Sequence, residues 1–461
     1  MGSSYSIRAF MTMTLLLGGC MGDESMNMLT NVVDTPIRTA TTGQSVIQKH
    51  DQSIIISQLT SAAYSTPIGF SGDDSGTAIA VDSSGNAYIA GTTTACGGTS
   101  NIYVAKMSPS GTNLYYSCLV GSSASGIAVD NSGNAYVVTS NGLTKLNATG
   151  SVLLYSISIG TWNLVGVAVD SLGNAYVTGF VGATTSQEDV VVAKVNSSGT
   201  ALVYAVSLGG NNQDLGLSIA VDGAGNAYVA GYTISSNFPV FNATQPTLHG
   251  DQDAFVAKIN ASGSQLIYST YLGGDAVETG VGIAVDSSGS AYVAGTIFPL
   301  ANGVRNFPVT SGAAQSSPPA LANAYVAKLS ATGVLAYATY VGGSGYDVAT
   351  GIAVSPSTGI AYLTGRTQST DFPVSGFPFQ ATLSGSSGNN DAFVTQVSSS
   401  GGSFSYSTYL GGTDLDEASG IAVDTVGNAY VVGSTHSSNF PTTVYAQAGG
   451  WDAFVTKFNG P

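Results

Sequence analysis

The chain of 461 residues contains 60 Gly, 26 acidic and 11 basic residues, with a formal charge of -15 and 43% apolar side chains. This composition excludes a collagen, a charged coiled coil and a disordered chain. Eleven basic residues on an acidic background cannot neutralise a row of phosphates, which excludes nucleic acid as a partner.

Residues 1–20 read MGSSYSIRAFMTMTLLLGGC, with one positive charge at Arg8, an apolar stretch from Ala9 to Leu17, and two glycines before Cys20. That run is too short to span a bilayer. Leu17-Gly18-Gly19-Cys20 resembles the lipobox of bacterial lipoproteins. The resemblance implies that residues 1–19 are removed and that the Cys20 thiol is lipidated, making the membrane a partner through that anchor; the other reading is an ordinary signal with an incidental cysteine. Met21-Gly22 in place of an immediate Asp resembles the sorting signal of outer-membrane lipoproteins. Residues 20–57 are polar and weakly periodic and read as a tether, whose reach as a flexible coil is about 30 Å.

The remainder is repetitive. Ala-Val-Asp-x-x-Gly-Asn-Ala-Tyr-Val recurs with its Tyr at positions 88, 136, 176, 228, 292, 362 and 430. Such uneven spacing suits a four-stranded blade with variable loops and excludes a short solenoid repeat of fixed length. In the fourth unit, runs over 217–222, 227–231, 253–260 and 264–274 are β-rich and bounded by Gly, Asn, Asp or Ser, and the first and third turns have hairpin length. Each unit therefore reads as an antiparallel meander. The predicted fold is all-β, a seven-bladed β-propeller over residues 58–461. The seventh unit stops after its third strand, and residues 61–70 match a fourth. The N-terminal strand is thus predicted to complete the last blade, with Pro67 tolerated on an outermost strand.

These units resemble the seven-bladed β-propeller repeat known as SBBP, and their AVDSSGNAYVAG core is also similar to NHL repeats. The fuller pattern, GYTISSNFPVF at 231–241 and DAFVAKINASGSQLIYSTYLGG at 253–274, favours the first, and Asn/Asp-Phe-Pro returns at 306–308, 371–373 and 439–441. Units one to three lack the Phe-Pro segment, and unit six has Ser355 where the others have the turn Asp. The resemblance implies a secreted or surface-attached protein and no defined chemistry.

Asp82, Asp130, Asp170, Asp222, Asp286 and Asp424 each precede two residues and a Gly, an arrangement that closes a turn by accepting backbone amides. Each unit offers one such carboxylate, too few for a calcium loop, and no metal or cofactor is assigned. Asp189, Asp253, Asp391 and Asp452, with the lysines five residues further on, read as blade construction. The loops between strands two and three run about 18 to 28 residues in units four to seven and are short elsewhere, so one face of the disc is predicted to be lopsided. That face carries the candidate binding residues Asp214, Asp275, Glu278, Asp347, Asp414, Asp416, Glu417, His249 and His436, read either as a solvated acidic rim or as a contact site. Loop aromatics such as Phe238, Phe241, Phe307, Phe372, Phe377, Phe440 and Tyr445 are predicted to pack on their own blades more than to form a contact surface.

No Gly-x-Ser-x-Gly, His-Glu-x-x-His or Cys-x-x-Cys occurs, and no catalytic residue is assigned. Cys96 and Cys118 are bonded if the loop at 92–100 folds back, and otherwise are separate thiols. The expected function is a monomeric, non-enzymatic outer-membrane lipoprotein, facing either the cell surface or the periplasm, whose propeller contacts extracellular or envelope proteins or glycans. Two alternatives stand beside it: a lyase or hydrolase with its site at the channel mouth, and a calcium-stabilised scaffold.

Overall fold

The structure is a computed structural model that describes residues 48–50, 53–55, 62–68, 72–94, 96, 101–119, 121, 123–139, 142–182, 187–299, 305–318, 321–385, 388–442 and 450–460. Cys20 and most of the tether lie outside these residues. Within the tether, Gln48–His50 and Ser53–Ile55 pair antiparallel with one another.

Seven four-stranded antiparallel sheets follow in chain order, each a simple meander. Blade four shows the plan: Asp214–Val221, Ala227–Thr233, Asp253–Ile259 and Leu266–Leu272. Each blade's first strand faces the axis and its fourth is outermost. The middle strands are rich in Val, Ala, Phe and Tyr and are buried on both faces, because each sheet packs against a blade on either side. The core is accordingly a set of layers between blades, such as Tyr176, Val190 and Val192 of blade three against Ile219, Val229 and Phe255 of blade four.

The predicted closure is present. Ala62–Ile68 pairs antiparallel with Asp452–Phe458 as the outer strand of blade seven, with Tyr64 opposite Lys457 and Ser65 opposite Thr456. The Ser65 and Thr456 hydroxyls meet at 2.9 Å in the buried interior. Pro67 sits on this outermost strand, where only one edge is paired.

Every first strand carries a bulge, with the register shifting between Gly76 and Ala78 in blade one and between Ala349 and Gly351 in blade six. The bulged segments line the axial channel and narrow it to a cavity of about 170 Å³. The inner strands converge here on small residues: a Cβ at Gly351 would lie 3.3 Å from the Gly420 Cα of the next blade, and the equivalent positions in blades one and four are Ala78 and Ser218. Channel hydroxyls are also spent on backbone, Thr77 donating to Ala90 O, Ser125 to Leu164 O and Thr350 to Ala418 O.

On the opposite side from the long loops, the repeated Asp closes its turn as expected. Asp222 Oδ1 accepts the amides of Ala224 and Asn226, at 3.0 and 2.9 Å, while Gly225 takes a φ of 82°, within the 78–93° of the six Asp turns. The same carboxylate also joins two blades. Tyr228 Oη lies 2.9 Å from Asp222 Oδ2 and 3.0 Å from the Gly289 carbonyl of blade five. Lys258 Nζ sits 4.7 Å above the Tyr228 ring, pairs with Asp222 at 3.7 Å and donates to Ala331 O of blade five. Burial alone would raise the Asp222 pKa, but donors from Asn226 and Tyr228 and the Lys258 charge hold it below the ordinary carboxylate range. Blade seven makes the same joint to blade one through Tyr430 to Gly85 O and Lys457 to Pro109 O.

Tyr228→Phe removes a fully buried hydroxyl that serves both blades. It is expected to lower stability by about 1–3 kcal/mol without changing the fold, read as a reduced melting temperature with unchanged circular dichroism.

Candidate binding face

The loop face begins where the first and third strands begin, and most of the acids there are not solvated. Asp214, Glu278, Asp347 and Asp416 have no exposed surface, nor do Asp253 and Asp391. The reading of these four candidates as an accessible acidic rim is corrected by what surrounds them. Asp347 accepts Gly343 N at 2.7 Å, Ser369 Oγ at 2.9 Å and the Thr367 hydroxyl. Asp214 accepts Gly210 N and Ser235 Oγ, and Asp416 accepts Gly412 N and Ser437 Oγ. Each carboxylate thus clamps the Gly-Gly crossover from the preceding blade onto the Thr-x-Ser end of its own second strand. Asp253 does related work on a long loop, accepting Gln245 Nε2 and His249 N, and Asp391 accepts Gln380 Nε2 and Ser384 N.

Glu278 breaks the pattern. Blade five has Ile297 and Pro299 where blade four has Thr233 and Ser235, so the hydroxyl donors are gone. Neither Glu278 oxygen receives a side-chain donor among the described residues. The longer side chain brings its carboxylate toward Asp253, and a side-chain carbon at Gly273 would collide with both acids. Burial, then the Asp253 charge, pushes Glu278 up to about 8. Burial pushes Asp253 and Asp391 up to about 7 and Asp416 up to about 6.

The remaining candidates are accessible. His436 Nδ1 and Asp414 Oδ2 are 2.7 Å apart, and both side chains are 44% exposed. The hydrogen bond to His436 holds Asp414 below the ordinary carboxylate range. His436 lies 5.5 Å from the Trp451 ring, and Trp451 N donates to Asp73 Oδ1. His249 is exposed, and Asp275 is half-buried and accepts Asn306 Nδ2. Glu417 pairs with Arg366.

Arg366 also lines a groove of about 470 Å³ across the top of blade six, with Phe298, Tyr346, Gln368, Asn390 and Leu415. Tyr346 is 48% and Phe298 38% exposed, although both are large and apolar. The backbone of Leu415 accepts His436 N, so the groove is contiguous with the His436–Trp451 cluster. The sequence reading did not place Phe298, Tyr346 or Trp451 on this face. Their signal was departure from the repeat: Trp451 stands where blade four has Gln252, and Phe298 where it has Ile234.

The Phe of each Phe-Pro segment packs inward as expected: Phe238, Phe307, Phe372 and Phe440 are buried. Phe238 lies 4.7 Å from Phe255, and its amide donates to the Tyr271 hydroxyl. Phe241 and Phe377 remain 51% and 46% exposed, and Tyr445 lies outside the described residues. Cys96 and Cys118 are disulfide-bonded, with Cys96, just past strand two of blade one, placed beside that blade's outer strand. Among the described residues no three His, Cys, Asp or Glu side chains gather to hold a metal ion.

The raised acids set a pH dependence. The folded state keeps these protons above the unfolded carboxylate value of about 4, so their stabilisation is complete below that pH and is lost as pH rises through 6 to 8. Glu278→Gln removes the most strongly shifted group. It is expected to raise the melting temperature at pH 8 and flatten its decline between pH 5 and pH 8, measured by calorimetry across that range.

The beta-propeller repeat SBBP matches residues 63–95, 206–239, 267–297, 336–373 and 405–441. No curated protein matches the chain. Among solved structures, the Neurospora crassa Pan2 WD40 domain is similar at 10% identity and a TM-score of 0.48, covering 87% of this chain and 97% of that one. Five matched repeats and seven four-stranded sheets together make the chain a seven-bladed β-propeller that carries SBBP repeats.

Proposed function

We propose that the protein is a non-enzymatic outer-membrane lipoprotein, exposed at the cell surface and held through lipid on Cys20, whose propeller binds glycans or proteins on its loop face. The groove over blade six carries this reading: exposed Tyr346 and Phe298 beside Arg366, Gln368 and Asn390 offer a flat apolar platform with convergent polar groups. Sugars present the complementary chemistry, with apolar ring faces for stacking and hydroxyls for hydrogen bonds. The channel supports the opposite inference for its own walls, since the Thr77, Ser125 and Thr350 hydroxyls are spent on backbone and its bore is narrow.

Tyr346→Ala with Phe298→Ala is expected to weaken binding to immobilised envelope or host polysaccharides at least tenfold while leaving the melting temperature unchanged. Equal binding by parent and variant argues against the groove. Protease shaving of intact cells, with mass analysis of Cys20, tests the location: release of the propeller supports surface exposure, and full protection moves it to the periplasm.

One observation favours the rival lyase or hydrolase reading. The His436–Asp414 pair has the geometry of an oriented general base. Among the described residues no hydroxyl or thiol is hydrogen-bonded to the His436 ring, so a nucleophile would have to come from substrate or water.

A further inference from the structure

The long loops do more than decorate one face: in three blades they turn down over the outer edge of their own sheet. In blade four, Phe241 and Ser269 exchange both backbone hydrogen bonds, at 2.9 and 2.7 Å, in an antiparallel bridge. Four residues on from Phe241, Gln245 N donates to Thr270 Oγ1 and Gln245 O accepts Tyr271 N. Blade six repeats this with Ser375 on Ser407 and Gln380 on Thr408 and Tyr409. Blade five repeats it with Gln315 on Thr339 and Tyr340. The covering segment also reaches the neighbouring blade, where Thr244 Oγ1 donates to Gly333 O at 2.7 Å.

Blades two and three have no such segment. Their second and third strands are joined by residues 140–141 and 182–188, too few to return along the edge, and Leu153–Ile157 and Leu202–Leu208 are the last strands of their sheets. Where the covered edges place Thr270, Thr339 and Thr408 for the Gln contact, these edges have Ile157 and Val206. Leu153, Leu154, Leu202 and Val203 are 47–54% exposed, at 54, 48, 47 and 54% respectively. Neither strand contains a charged residue or a proline, the usual protections of an open edge. Ahead of them lies a groove of about 530 Å³ between the outer strands of blades one and two, lined by Ser117, Leu119, Gly150 and Leu153. Gly150 is the turn residue equivalent to Gly333, so this groove matches the place that Thr244 enters beside blade four, with Gly150 O here accepting Ser117 Oγ in place of the Thr244 hydroxyl. With the loop in place, the blade-four groove shrinks to about 240 Å³.

We propose that the outer edges of blades two and three, entered from the groove beside blade one, take an extended, uncharged segment of a partner polypeptide as an added antiparallel strand. The chain itself specifies the occupant's chemistry: backbone exchange at the positions of Ser156 and Ala205, which match Ser269, and apolar or aromatic side chains laid where Phe241 lies. Strand addition draws affinity from main-chain hydrogen bonds and selectivity from alternate side chains. An acidic segment would meet the repulsion of a chain with net charge -15 and no basic residue on either edge strand. This surface is separate from the groove over blade six, so either proposal can fail alone.

The test uses the full chain and a synthetic peptide of residues 237–246, the covering segment of blade four, with binding read by fluorescence anisotropy. Saturable binding is expected, weakened at least tenfold by Leu153→Lys or Val203→Lys and unaffected by Leu172→Lys, a change at a still more exposed leucine on the turn face. Melting temperatures of all three variants should match the parent, since the altered side chains are exposed. The proposal is overturned by absence of saturable binding, or by equal binding to the edge variants. It is also overturned if sedimentation shows a dimer that Val203→Lys dissociates, which makes a second copy the occupant. Binding that emerges only after removal of residues 1–57 overturns it too, by assigning the edge to this chain's own N-terminal segment.

Discussion

A ring of sheets tolerates no missing strand. The third strand of blade seven, Asp452–Phe458, is as buried as its counterparts, and Ala62–Ile68 pairs along its outer side. Without that strand an apolar sheet edge would stand open at the seam, and the first and last blades would lose the packing of Tyr64 and Ile68 against Ile79, Tyr103 and Val455. Both faces, the axial channel and the spacing of every loop follow from this closure. The ends of the fold are thereby made one element, whatever the chain does before residue 62.

Within the closed ring, adjacent blades are held by a joint of Asp, Tyr and Lys, and the exception explains the rule. Blade six has Ser355 in place of the Asp, and Gln396 where the others have Lys. Its Tyr362 still reaches Gly427 O of the next blade. A lysine buried against a tyrosine ring without its carboxylate would carry an unpaired charge, which costs more than the pair contributes, so the two charges are absent together. The loop face follows a different economy. There the acids Asp214, Asp347 and Asp416 have no basic partner among the described residues and depend on hydroxyls and amides, and blade five shows what remains when the hydroxyls are replaced: Glu278 and Asp253 buried near one another with raised affinity for protons.

The architecture was legible from the sequence because it is periodic. The recurrent Ala-Tyr-Val core marked each second strand, and a displaced fourth strand at residues 61–70 could be recognised as a copy of six others. The state of the acids was not legible, because a carboxylate next to Gly-Gly looks like a loop residue until its donors are found about twenty positions away, as Thr367 and Ser369 are from Asp347. The cysteine pairing lay one step beyond reach for a similar reason. Cys118 stands opposite Tyr103, and only the return of the loop at Cys96 brings the second sulfur to it. Loop lengths announced a lopsided face, yet not that the loops of blades four to six would spend their middle residues on their own outer edges.

The closure itself admits a direct measurement. Ser65 and Thr456 stand opposite one another with their side chains in contact, 391 residues apart. In a Ser65→Cys, Thr456→Cys double variant, non-reducing peptide mapping should find a single intramolecular disulfide joining positions 65 and 456, in monomers that melt at a higher temperature than the parent. Two free thiols under oxidising conditions, or a bond found only between molecules, would contradict the closed ring.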